Sequence, residues 1–98
     1  MAKKRNNGLK IDSIEVLRVN NTRYGVFVDM KINGLYIYGM KYMHKSGING
    51  YEFFSFPSRE GKDHKYYNVV WAYVDNDNND KMIEAFMEYC NEEGIHIE

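Results

Sequence analysis

The stretch from Tyr24 to Ile32, followed by Asn33-Gly34, restricts this chain more than any other. Val26, Val28, Met30 and Ile32 fall on one side of an extended backbone, and Phe27, Asp29 and Lys31 fall on the other. Such a period of two marks a half-buried strand. Asn33-Gly34 then supplies the pair of residues that tolerate the positive φ values of a type I′ turn, so the chain doubles back at once. The returning segment, Leu35 to Met43, alternates Leu35, Ile37, Gly39, Lys41 and Met43 against Tyr36, Tyr38, Met40 and Tyr42. It predicts a second strand with one tyrosine-bearing face, and hence an antiparallel sheet.

Other segments extend that sheet. Between Leu9 and Val19, the residues Ile11, Ile14, Val16 and Val19 suit a strand with one irregularity, and the broken alternation between Ile11 and Ile14 predicts a bulge there. A short helix is the competing reading of so brief an apolar run. Asn20-Asn21-Thr22-Arg23 is turn chemistry. Ser46 to Gly50 is a glycine-bearing connection. The apolar and aromatic runs Tyr51 to Phe56 and Tyr66 to Val74 predict further strands. The polar segment between them opens Pro57-Ser58-Arg59 and leaves the sheet, because Pro57 donates no amide and Gly61 loosens the backbone.

Lys81 to Glu93 predicts the one helix: Met82, Ile83, Ala85, Phe86, Met87, Tyr89 and Cys90 recur at helical spacing. Asp75 to Asp80 is rich in capping residues, and Gly94 stands where a C-cap glycine belongs. The fold class is therefore α+β, an antiparallel, strongly twisted sheet of about five strands with one C-terminal helix. The expected organisation is a disordered basic arm at 1–8, one domain at 9–94 with a modest core, and a short tail at 95–98.

Charge is unevenly distributed. From Met1 to Val74 there are twelve Lys and Arg against six Asp and Glu, whereas from Asp75 onward Lys81 alone faces eight acids. A basic body that meets phosphate and an acidic end that avoids it would behave in this way. Cys90 is the only cysteine, so a disulfide framework is excluded and a reducing, cytoplasmic setting is expected. No apolar run approaches the ~18 residues of a membrane helix, and the basic start at Met1 to Gly8 lacks the apolar core of a signal peptide.

Few constellations carry chemistry. His44, His64, His96 and Cys90 have no metal-ligand spacing. The Asp75 to Asn79 run lacks the glycine and the bidentate glutamate of a calcium loop, since Asp80 and Phe86 stand there instead. No carboxylate pair, nucleophile or phosphate-cradling glycine loop is visible, so neither catalysis nor a cofactor or metal is expected. The basic segment remains. Arg59, Lys62 and Lys65 would displace counterions from phosphate, Tyr66 and Tyr67 offer faces on which unpaired bases stack, and Lys41 and Lys45 extend the patch. Glu60 and Asp63 interleave and lower its net charge.

Three blocks carry a family resemblance: Ile11-Asp-Ser-Ile14-Glu-Val16-Leu17-Arg18-Val19, then Phe53-Phe54-Ser55-Phe56-Pro57-Ser58-Arg59, then Lys65-Tyr66-Tyr67-Asn68-Val69-Val70. Over about residues 9 to 92 the chain resembles the SpoVG family, named for stage V of sporulation. The resemblance implies a small domain of sheet and helix that dimerises through its sheet, binds DNA or RNA, and regulates expression. Arg59 holds the position of the family's basic residue after Pro-Ser. Glu60 departs from the pattern, as does Gly61-Lys62-Asp63-His64 where the family commonly has Asp-Gly. The expected function is thus a noncatalytic, homodimeric nucleic-acid-binding regulator. The alternative is a protein-interaction module, such as a small inhibitor or adaptor, that uses the acidic C-terminal helix.

Overall fold

The computed structural model describes residues 8–45 and 51–97, the side chain of Lys45 excepted. The basic arm expected at 1–8, apart from Gly8, and the connection at 46–50 lie outside the described residues. The strands are β1 (Ile14–Thr22), β2 (Gly25–Ile32), β3 (Leu35–Lys45), β4 (Tyr51–Ser55), β5 (Ser58–Glu60) and β6 (Tyr66–Asn68), followed by the helix α1 (Asn76–Glu93). Strands β1 to β4 form an antiparallel sheet in sequential order, and β5 with β6 form a separate two-stranded ribbon. The expected sheet of about five strands is thus four strands plus a ribbon.

The turn between β2 and β3 has the predicted chemistry, with Asn33 at φ 52° and Gly34 at φ 84°. The Asn33 side chain also ties down the lead into β1: its Oδ1 accepts from the amides of Asp12 and Ser13, and its Nδ2 donates to the Lys10 carbonyl. Ile11 is therefore buried while standing outside any strand. The predicted bulge between Ile11 and Ile14 is corrected by this arrangement, because the irregularity of β1 falls at Leu17, between Val16 and Arg18. The predicted turn at Asn20 to Arg23 also shifts, to Arg23 and Tyr24. Cross-strand pairing with β2 holds Asn20, Asn21 and Thr22 extended, and the Thr22 hydroxyl accepts from the Tyr24 amide and donates to the Gly25 carbonyl.

A second irregularity redirects the tyrosines. Val28 pairs with Met40 but Met30 pairs with Ile37, so β3 carries one extra residue at Tyr38-Gly39. Gly39 sits at φ 82°, where a β-carbon is disfavoured, and its amide donates to Asp29 Oδ1 at 2.9 Å. The extra residue reverses the parity of everything after it. Tyr36 and Tyr38 stay on the outer face, whereas Met40 and Tyr42 turn inward. The single tyrosine face read from the alternation does not exist.

α1 covers the inner face, packing across to β1 and β4. Met82, Phe86 and Cys90 recur four apart and are buried against Val28, Met30, Met40 and Phe54. Phe86 stacks on Tyr42 with centroids 4.8 Å apart and meets Phe54 edge-on at 5.4 Å. The helix begins five residues before the predicted Lys81. Asp75 is the N-cap, its side chain accepting from the Asn78 amide at 2.9 Å. Asn78 and Asn79 are helical because their side chains are engaged elsewhere. Asn78 Oδ1 accepts from the Ile11 amide and Asn79 Nδ2 donates to the Glu52 carbonyl, so neither competes for its own backbone. Gly94 closes the helix at φ 70°, and the Ile95 amide reaches the Cys90 carbonyl at 2.8 Å. Beyond Gly94 the short tail packs back, with Ile95 and Ile97 against the core and the His96 carbonyl accepting from the Asn21 side chain.

Candidate nucleic-acid interface

The basic segment is a ribbon that stands apart from the sheet, and its root is built by Phe56 and Pro57. Phe56 is buried, which anchors the chain after β4, and Pro57 interrupts the ladder because it has no amide to donate. Its carbonyl then accepts from the Val69 amide at 2.8 Å, which pinches the two arms together. Beyond this root Ser58 pairs with Asn68, Arg59 with Tyr67 and Glu60 with Tyr66. Gly61 donates to the Lys65 carbonyl at 2.7 Å, and the His64 amide returns to the Gly61 carbonyl at 3.0 Å. His64 has φ 65°, so the tip closes with one left-handed residue. The strand predicted over Tyr66 to Val74 is corrected: β6 ends at Asn68, the chain bends at Val69 and Val70, and it runs on to α1 outside either sheet.

Because directly opposed residues point the same way, the register sorts the ribbon's side chains. Arg59 and Tyr67 share one face, and the pleat carries Lys65, opposite Gly61, to that face as well. A β-carbon on Gly61 would lie 2.8 Å from Tyr67 Cε2, so the Tyr67 ring needs a glycine beneath it. Glu60 and Tyr66 share the reverse face, and Lys62 lies in the tip turn. Arg59, Lys62 and Lys65 are all exposed, as are Tyr66 and Tyr67. Among the described residues the one ion pair is His64 with Glu60 at 3.1 Å, so no carboxylate holds any of the three cations. The two tyrosines, which the sequence offered together, are separated by the register.

Asp63 is tied inward. Its Oδ2 accepts from the Tyr67 hydroxyl at 2.5 Å and its Oδ1 from the Lys65 amide at 3.1 Å. The hydroxyl, and secondarily the amide, hold its carboxyl below the usual range, while the same bond pushes the Tyr67 phenol up. A carboxylate whose folded pKa is depressed adds stability above its ordinary pKa, and this is lost as pH falls through the lowered value. Tyr67→Phe is expected to move the Asp63 pKa back toward the ordinary carboxylate value, read as a shifted side-chain NMR titration. An unchanged titration would show that the hydroxyl is not what holds it.

Lys41 belongs to the outer face of the sheet, in register with Phe27 and Ser55 and with Nζ 6.0 Å from the Phe27 centroid. The backbone of Lys45 pairs with Tyr51 at the end of β3, and its side chain lies outside the described residues. The seven expected residues therefore divide into a ribbon group and a sheet group. Register brings Arg18, Phe27, Lys31 and Tyr36 onto the face of Lys41, neighbours that are not visible in the sequence until register is known. Cys90 is buried, and burial pushes its thiol up, which opposes a reactive thiolate. Among the described residues no helix is long and apolar enough to cross a membrane. No family model, curated protein or solved structure matches the chain.

Proposed function

We propose that this protein is a noncatalytic, homodimeric nucleic-acid-binding regulator, as the SpoVG resemblance implies, with the ribbon as its phosphate-contacting element. One observation carries the reading: Arg59, Lys62 and Lys65 project from a ribbon outside the sheet, exposed and free of internal ion pairs. Cations in that condition give up no internal ion pair when they meet phosphate, and the counterions released from nucleic acid drive association. Glu60 and Asp63 lower the local charge, so binding is modest and salt-sensitive. The exposed row Val69, Trp71 and Tyr73, apolar and unused by the core, supports a second copy as partner. A single buried thiol fits a reducing, cytoplasmic setting.

The test is fluorescence anisotropy of labelled DNA and RNA across a salt series, with light scattering on the same samples. Log affinity falls linearly with log salt, and the scattering mass is twice the 11.6 kDa of one chain. Absence of saturable binding at low salt removes the reading. A second reading rests on the exposed acids Asp80, Glu84, Glu88 and Glu92 of α1, four residues apart, where like charges oppose the helix. As a surface for a basic protein partner, it predicts that charge reversal at Glu84, Glu88, Glu92 and Glu93 abolishes capture of that partner.

A further inference from the structure

α1 covers the inner face of the sheet, and among the described strands and helix none packs on the outer face. Register places Phe27, Tyr36 and Tyr38 on it, together with Arg18, Lys31 and Lys41. Tyr36 and Tyr38 are 52% and 62% exposed, and their rings lie nearly parallel with centroids 6.4 Å apart. Lys31 stands over the Tyr36 ring with Nζ 5.2 Å from its centroid, as Lys41 stands over Phe27. β4 adds Phe53 and Tyr51, stacked at 5.3 Å. The acids of the face are Glu15, beside Lys31, and Asp29, whose Oδ1 is occupied by the Gly39 amide. Among the described residues, no carboxylate forms an ion pair with any of the three cations. The face is also continuous with the ribbon: a β-carbon at Gly39, next to Tyr38, would stand 3.9 Å from that of Pro57 at the ribbon's root.

Aromatic faces interleaved with unpaired cations have a specific chemical complement. A duplex buries its base faces and presents phosphate, which satisfies cations and leaves the rings unused. A single strand presents phosphate and bare bases together, and each base that stacks on an aromatic ring strengthens binding roughly tenfold. We infer that this outer face is a stacking platform for unpaired bases, so that the preferred ligand is single-stranded nucleic acid. This inference rests on the nucleic-acid reading of the ribbon and names its ligand class. The ribbon holds the phosphates at the edge of the sheet, and bases of the same strand lie across Tyr38, Tyr36 and Phe27. The lysines now over the rings swing aside to the backbone.

The experiment titrates a labelled single strand of about a dozen nucleotides, in DNA and RNA forms, and the duplex of the same sequence, at one salt concentration. The strand is expected to bind at least tenfold tighter than the duplex. Tyr36→Ala/Tyr38→Ala should weaken strand binding tenfold or more and leave duplex binding unchanged, while Tyr36→Phe/Tyr38→Phe, which keeps the rings, retains it. Both tyrosines are exposed, and far-UV circular dichroism confirms that each variant is folded. Equal affinity for strand and duplex, unaffected strand binding in the alanine variant, or equal loss in the phenylalanine variant would overturn the platform while leaving the ribbon reading intact. Binding to neither ligand would overturn both.

Discussion

Phe86→Ala is expected to lower the midpoint of thermal unfolding by roughly 15–30 °C. Phe86 is fully buried, stacks on Tyr42 and meets Phe54 edge-on, so it is the point where the helix joins β3 and β4. Truncating a buried phenylalanine costs about 3–5 kcal/mol, because the transfer energy of the ring and the cavity it leaves add. Small domains are stable by about 5–15 kcal/mol in total, so the loss is a large fraction of what holds this one together. The cavity cannot close cheaply. Tyr42 is tied at its other end by a hydrogen bond that its hydroxyl donates to Glu52, which opposes movement of its ring into the space of the missing one. Burial, then that bond, pushes the Tyr42 phenol up, and the hydroxyl stays a donor across the accessible pH range. The neighbouring Met87 supplies the contrast. It is 38% exposed, and Met87→Ala is expected to change stability by about 0.5 kcal/mol or less. Circular dichroism melts of the two variants read the helix's orientation directly. Similar destabilisation by both would mean that the face assigned to the core is wrong.

The same helix shows which parts of the fold were legible in the sequence. Its buried stripe and closing glycine followed from local periodicity and one φ requirement, and the hairpin at Asn33-Gly34 followed for the same reason. Bulges were not legible. The extra residues at Leu17 and at Tyr38-Gly39 are settled by the partner strand, and each reverses the side-chain parity beyond it, which is why Tyr42 was placed with Tyr36 and Tyr38. Val69 to Val74 was read as strand because alternation reports burial and not ladder bonds. Val70, Ala72 and Val74 do turn inward and Val69, Trp71 and Tyr73 outward, yet the ladder of β5 and β6 ends at Asn68. The early start of α1 was hidden because asparagine ordinarily competes for its own backbone, and only tertiary partners such as Ile11 and Glu52 remove that competition. For the candidate site, the clustering of Arg59, Lys62 and Lys65 was visible as composition. Its division into faces, with Tyr67 beside Arg59 and Tyr66 beside Glu60, required the register of β5 and β6.

That register also determines what neutralising the ribbon should do. Arg59→Ala/Lys62→Ala/Lys65→Ala leaves Glu60 and Asp63 as the ribbon's charges besides His64, so the surface turns from cationic to anionic. Each phosphate contact contributes about 0.7 to the slope of log affinity against log salt for a single strand. Removing three flattens the slope by about 2 and weakens binding about a hundredfold at 0.1 M salt. A folding defect cannot mimic this. All three side chains are exposed and hold no internal ion pair, and surface substitutions of that kind change stability by about 0.5 kcal/mol or less. The slope discriminates where affinity alone does not. If the outer sheet face supplied all of the binding, the triple variant would keep the wild-type slope, and the ribbon would be a solvated appendage. If the ribbon meets the backbone and the sheet meets the bases, the triple variant loses slope while Tyr36→Ala/Tyr38→Ala loses affinity at constant slope. The two sets of substitutions then separate the electrostatic from the stacking part of a single interface.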